Sequence, residues 1–216
     1  MKTKDREYFH KYFDLDTDYD GIKRALRKYE GLSDAVEFGS GIRILKQDPF
    51  ETIISFIVSA NNNIPRIKSI LERICVALGE KKDGYYAFPT AERMADAGAE
   101  LFKSLGAGYR AEYLAETSRK LVGFDYEIIE KSNTDEARKI LTSFKGVGNK
   151  VADCILLFAF GKTDLFPMDT WTKKIYRILG FPEENNPKTM AARLVNRFGA
   201  LAGYAQQYLY YYYREK

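Results

Sequence analysis

Apolar residues recur at three- and four-residue intervals along almost the whole chain, the period of helices that each bury one face. Asp18 to Tyr29 is amphipathic in this sense. Gly39-Ser40-Gly41 breaks the pattern, and Ile42 to Leu45 reads as a short extended piece. Asp48 before Pro49 fits an N-cap and first helical position. The helix they open, Phe50 to Ala60, is nearly all apolar and predicts a central element. Asn61-Asn62-Asn63 ends it, and Ile64 to Leu78 follows, stopped by Gly79. Lys81 to Phe88 is a loop, and Thr90–Ala97, Ala99–Leu105 and Arg110–Leu121 read as helices parted by glycines. Asp135–Phe144, with Thr134 as its cap, and Asn149–Phe160 flank a glycine turn. Asp169–Leu179, Lys188–Phe198 and Leu201 to about Arg214 complete the pattern. It predicts an all-α protein without internal repeats or a low-complexity linker.

Composition narrows this picture. The 216 residues can bury a substantial core as one large domain or two small lobes, and 45% hydrophobic with 30% charged residues is ordinary for a globular chain. A net charge of +4 is compatible with DNA binding without arguing for it alone. Cys75 and Cys154 both sit in apolar helical runs, so no disulfide framework is implied and a reducing cytosol is the expected setting. Two cysteines cannot build a four-cysteine iron–sulfur cluster, and one histidine, His10, argues against a Cys/His zinc site. The polar start, Met1 to Arg6, does not read as a signal peptide, and no apolar run is long enough to span a membrane.

The chemistry concentrates in Phe144-Lys145-Gly146-Val147-Gly148-Asn149-Lys150, followed by Val151-Ala152-Asp153-Cys154. Two glycines permit a sharp turn. They also leave amide N–H groups bare at a helix N-terminus, where a DNA phosphate can sit. Asp169 follows nineteen residues after Lys150, within Phe166-Pro167-Met168-Asp169-Thr170-Trp171. Taken singly, Lys150 is a solvated lysine and Asp169 a helix cap. Together, an amine and a carboxylate near a phosphate-binding turn point to chemistry on nucleic acid.

The turn, Lys150 and Asp169 occur with Gln47-Asp48-Pro49, the run Ser55 to Ile67 through the asparagine triplet, and Leu105-Gly106-Ala107-Gly108-Tyr109-Arg110-Ala111. In that order, and over roughly the whole chain, they resemble the helix-hairpin-helix DNA glycosylases, in particular the bifunctional 8-oxoguanine DNA glycosylase/lyases. The resemblance implies a two-lobed fold with a DNA-binding cleft between the lobes. One lobe would comprise residues 1–48 plus 185–216, and the hairpin-containing lobe 49–184.

The resemblance also assigns roles. Lys150 would attack C1′ of the damaged nucleotide, expel the base and form a Schiff base that leads to β-elimination. Asp169 would stabilise charge growing on the sugar and shuttle protons while capping its helix. Gly146, Val147 and Gly148 would hold a phosphate, with a monovalent cation on nearby carbonyls as a possible bound ion and no other cofactor. Chemistry at C1′ of a paired base requires extrusion of the nucleotide. Asn61, Arg66 and Arg110 match positions that hydrogen-bond the orphaned cytosine, and Tyr109 matches the aromatic wedge. Cys154 and Tyr210 match the two faces of the base pocket, and Gln206 the amide on the base's Watson–Crick edge. The plainer alternatives are a helix-ending turn for the asparagines, core packing for Tyr109 and a buried small hydrophobe for Cys154.

Three departures qualify the match. The family's largely β N-terminal domain, which precedes the helix begun by Tyr8–Phe13, is expected to be missing. Trp171 stands where a histidine is common, and Tyr213 where an aspartate is expected. The leading expectation is a monomeric cytoplasmic (or, in a eukaryote, nuclear) repair enzyme that removes 8-oxoguanine opposite cytosine from double-stranded DNA. The alternatives are an AP lyase or glycosylase of altered lesion range, and a non-catalytic DNA-binding module.

Overall fold

The structure, a computed structural model, describes residues 3–216; Met1 and Lys2 of the polar start lie outside the described residues. The helices are α1 (Thr3–Tyr12), α2 (Tyr19–Leu26), α3 (Ser33–Phe38), α4 (Pro49–Ser59), α5 (Ile64–Leu78), α6 (Ala91–Ser104) and α7 (Arg110–Leu121). They continue with α8 (Glu127–Lys131), α9 (Thr134–Thr142), α10 (Asn149–Phe160), α11 (Thr170–Ile178), α12 (Pro187–Phe198) and α13 (Ala202–Glu215). Among the described residues there is no strand, only an isolated bridge between Lys81 and Tyr86, so the fold is all-α as expected.

Local chemistry sets the helix ends. Asp48 Oδ1 accepts from the Glu51 amide at 2.9 Å, and Asn63 Oδ1 from the Arg66 amide at 3.0 Å, each satisfying a donor the helix leaves bare. Gly98, at φ +70°, interrupts α6 where the pattern predicts two helices. The cap of α9 is Asn133, not Thr134: Asn133 and Glu136 form a reciprocal capping box, which a glutamate three residues after Asn133 makes possible. Helices α3 and α8 are six and five residues long, too short to register as a period.

The chain divides into two compact units, residues 1–47 with 156–216, and residues 48–155. The second boundary falls inside α10 and not at 184/185, where the family match places it. The reason is that α11 buries Ile175 and Tyr176 in one cluster with Leu26, Leu32, Met190, Leu194, Phe198 and Tyr208. That commits α11 to the core of the terminal segments.

In the same unit, the piece 42–47 is held without a strand partner. Tyr19 Oη accepts from the Ile44 amide at 2.8 Å, and the amides of Lys46 and Gln47 donate to Tyr12 O and Phe158 O, both at 2.9 Å. Tyr19 in turn donates to Asp14, a buried residue at φ +51° that also takes bonds from Thr17 and Lys46. Burial raises the Asp14 pKa, but Lys46, Thr17 and Tyr19 outweigh it and leave the carboxyl below its ordinary value. The unit 48–155 has its own core, in which Ile53, Ile54, Ile57, Ile70, Ile74, Phe102 and Leu114 are buried.

Candidate functional site

The turn between α9 and α10 uses its two glycines differently. Gly146 has φ +84°, and a Cβ there would lie 2.8 Å from Tyr113 Cδ2. Both facts demand glycine. Gly148 has no such φ, and a Cβ would meet nothing within 4 Å. The fold does not require glycine at 148, so the missing side chain leaves open space at an exposed backbone. Val147 is 5% exposed and anchors the turn, and its amide donates to Phe144 O at 3.2 Å. Of the three amides expected to face a phosphate, this one is therefore engaged inside the turn. From α7, Thr117 Oγ1 donates to Lys145 O at 2.9 Å and ties down the strand of backbone leading into it.

Helix α10 starts immediately afterwards. Lys150, in its first turn, is exposed, and its Nζ lies 5.6 Å from the centroid of the Phe56 ring on α4. An aromatic face at that range attracts the ammonium form while leaving the amine reachable. Behind it Val151 to Leu157 are buried. Cys154, one turn past Lys150, is 6% exposed.

The asparagine triplet divides its labour. Asn61 adopts φ +49° and is exposed; Asn62 Nδ2 donates to Val58 O at 3.1 Å; Asn63 caps α5. Arg110 holds this turn from below. It is 3% exposed, its Nε donates to Ala60 O at 2.8 Å, and its Nη2 donates to Ala60 O and, at 2.8 Å, to Asn61 O. Its guanidinium carbon lies 4.4 Å from the Tyr109 ring centroid. The side chain assigned by resemblance to an orphaned base is thus occupied, in this structure, by the backbone of the α4–α5 turn. Tyr109 is 54% exposed, which removes the core-packing alternative, and its hydroxyl donates to Ala60 O at 3.3 Å. Arg66 is exposed and donates to Gly106 O at 3.4 Å. The structure therefore brings Tyr109 and Arg110 to one carbonyl, Ala60 O, with Asn61 next to it in the chain.

The remaining candidates lie in the other unit. Asp169 is half-buried and caps α11. Its Oδ1 accepts from the Thr172 amide at 2.8 Å, and its own amide donates to Thr172 Oγ1 at 2.5 Å. Gln206 and Tyr210 share a face of α13. Gln206 is 5% exposed and its Oε1 accepts from Gln207 at 2.5 Å; Tyr210 Oη accepts from Arg214 at 3.1 Å. Among the described residues no group of three or more His, Cys, Asp or Glu could hold a metal ion, and no helix is long and apolar enough to cross a membrane.

Sequence reasoning missed the parts that support these residues: Phe56 beneath Lys150, Thr117 behind the turn, and Arg138 of α9, which reaches Asp153 of α10. The last had a signal, since Asp153 is three residues from Lys150 on a helix otherwise apolar behind its first turn.

Residues 54–199 match the family model described as HhH-GPD superfamily base excision DNA repair protein, and residues 1–53 match that of the 8-oxoguanine DNA glycosylase N-terminal domain. The described part of residues 1–53 carries helices α1 to α3 and the start of α4 and has no strand, so the match to that domain's model falls on helical residues. A probable N-glycosylase/DNA lyase of Methanothermobacter thermautotrophicus is 32% identical over 95% of this chain and 73% of its own length. The N-glycosylase/DNA lyase of Saccharomyces cerevisiae is 40% identical over 62% of this chain and 41% of its own. The crystal structure of Clostridium acetobutylicum 8-oxoguanine glycosylase/lyase, with double-stranded DNA containing cytosine opposite 8-oxoguanine, covers all of this chain and 77% of its own at TM-score 0.94 and 40% identity.

Proposed function

This chain belongs to the HhH-GPD superfamily of base excision DNA repair proteins, and from that premise we propose that it removes 8-oxoguanine opposite cytosine and cleaves the resulting abasic strand, with Lys150 as nucleophile. One observation carries the assignment of Lys150. Its amine is exposed in the first turn of α10, directly after a turn whose Gly146 is conformationally required and whose Gly148 leaves open space beside the backbone. A phosphate held there would bring the adjacent sugar to the amine.

The steps balance as follows. Lys150 Nζ bonds to C1′ as the N-glycosidic bond breaks. The base leaves with the bonding pair and takes up a proton. One proton passes from Nζ to O4′ as the C1′–O4′ bond opens with its electron pair on O4′, which gives the protonated imine. Removal of a C2′ proton then expels the 3′ phosphate, and water returns the lysine. In this reading Asp169 answers the positive charge that develops on the sugar, and Cys154, Gln206 and Tyr210 are each assigned a contact with the extruded base. Asn61, Arg66 and Tyr109 fill and read the vacated position in the duplex, and Arg110, first matched to the same role, holds the turn that carries Asn61. No cofactor takes part. A monovalent cation at the hairpin would rest on backbone carbonyls: those of Phe144 and Lys145 each accept one bond, from the Val147 amide and Thr117 Oγ1, and keep a second lone pair. The enzyme acts as a monomer, in the compartment that holds the DNA.

The test is strand cleavage of duplexes carrying one 8-oxoguanine opposite cytosine, one abasic site, or no lesion. Cleavage of the first two supports the reading. In Lys150→Gln it falls by about 10³-fold or more while duplex affinity stays within about threefold. Cleavage of the abasic duplex alone reassigns the protein as an AP lyase, and binding without cleavage reassigns it as a DNA-binding module.

A further inference from the structure

Helices α9 and α10 are joined by more than the glycine turn. Arg138, in the middle of α9, donates from Nε to Asp153 Oδ1 of α10 at 2.6 Å, and its Nη1 bonds Asp135 one turn back. The Arg138 and Asp153 side chains are only 24% and 11% exposed. By contrast, the pair Lys23–Asp20 leaves its acceptor 77% exposed, and Lys131–Glu127 is open on both sides, 76% and 64%. Exposed pairs of that kind contribute little. A buried pair is costly to break, because the survivor is left desolvated without its partner. The planar fork of arginine suits this place, since separate nitrogens of one rigid group meet the two carboxylates, Nε at Asp153 and Nη1 at Asp135.

The location gives the pair a use. Asp153 is three residues after Lys150 and so lies beside it on the helix surface. Pinning Asp153 to α9 fixes the roll of α10 about its axis. At a side-chain radius of roughly 5–6 Å, a roll of about 20° would carry the amine about 2 Å sideways. A misplacement near 1 Å already costs on the order of 10²-fold in a reaction that depends on alignment. Val147 and Thr117 hold the backbone of the turn itself, and the Arg138–Asp153 pair adds a tie one helical turn further along α10.

We propose that Arg138 and Asp153 are positioning residues, a buried ion-pair staple across the hairpin that holds Lys150 in register with the phosphate-binding turn. The role of Lys150 rests on the function proposed above; the staple itself does not. Two measurements on the full chain keep these apart. The first is single-turnover cleavage of an abasic duplex at saturating enzyme, with the dissociation constant measured alongside. Asp153→Asn lowers the cleavage rate by about 10²-fold and changes affinity by less than about threefold, and Arg138→Lys, which keeps a cation beside Asp153, retains more of the wild-type rate than Arg138→Ala. The second is hydrogen exchange of the DNA-free protein, which requires no activity. In Asp153→Asn, exchange rises at residues 143–150 and stays unchanged in the core around α4 and α7. An unchanged rate in Asp153→Asn, unchanged exchange at the turn, or a rise in exchange throughout the unit overturns the staple. If the wild type cleaves nothing yet exchange rises only at the turn, the staple stands and the catalytic reading of Lys150 fails.

Discussion

Two of the helix–turn–helix junctions in the unit 48–155 invite comparison, each with a left-handed residue: Gly146 between α9 and α10, and Asn61 between α4 and α5. They are built to opposite ends. At the hairpin the ties come from side chains outside the turn, Thr117 on the Lys145 carbonyl and the Arg138–Asp153 pair, and what faces outward is backbone with a lysine beside it. At the asparagine turn the tie is central: Arg110 is buried against the carbonyls of Ala60 and Asn61, and what faces outward is side chain, Asn61 and Tyr109. Backbone amides suit a phosphate, which carries no sequence information, whereas side-chain amides and rings suit a base. The contrast fits the roles proposed for the two turns, a phosphate at one and a base at the other.

This comparison can be broken in order of expected effect. Arg110→Ala removes a buried guanidinium and the donors it gives to the carbonyls of Ala60 and Asn61, and is expected to destabilise the protein by about 3 kcal/mol. Thermal or urea unfolding measures it, and a loss under about 0.5 kcal/mol would mean the clamp is dispensable. The glycines should separate next. Gly146→Ala meets both a left-handed backbone and Tyr113, at a cost of about 2 kcal/mol. Gly148→Ala leaves stability within about 0.5 kcal/mol but weakens duplex binding about tenfold, because it fills the space left for a phosphate. Equal effects of the two substitutions on stability would erase the distinction drawn between them. Asn61→Gly keeps the left-handed turn and deletes the side chain. Binding of undamaged duplex should hold, while preference for cytosine opposite the lesion falls about tenfold in a competition assay.

The smallest effect is a control outside both turns. The Asp14 carboxyl is held below its ordinary pKa, with burial opposing and Lys46, Thr17 and Tyr19 prevailing. A depressed folded-state value means that its contribution is complete above the unfolded pKa and is lost as pH falls through the folded one. Wild type should therefore unfold at a higher temperature than Asp14→Asn at pH 7, and the gap should close in acid below about pH 4. A gap that persists at low pH would show that Asp14 acts through shape alone.

Much of this was legible in the residues. Asp48-Pro49 marks the start of α4, the glycine-flanked run marks α10, and Gly98 parts two helical stretches as its position predicts. Periodicity could not assign α11 to its unit, since an amphipathic helix declares that it has a buried face but not which core receives it. Nor could it show that Arg110 is spent on backbone. Arginine reads as a surface donor, and its burial follows from the carbonyls left bare where α4 ends. Asn133 was preferable to Thr134 as a cap on the strength of Glu136, a signal present but outweighed by the threonine beside it. The extended piece at 42–47 has no strand partner because its bonds go to Tyr19 Oη and to isolated carbonyls, which no alternation of side chains reveals.

The central claim is that one amine among the chain's many performs the chemistry. Borohydride reduction during reaction with a duplex bearing 8-oxoguanine opposite cytosine, followed by proteolysis and mass spectrometry of the adduct, tests it most directly. The account predicts a covalent protein–DNA product whose mass addition maps to Lys150 and disappears in Lys150→Gln. An adduct on any other lysine, or one that survives in that variant, would contradict it.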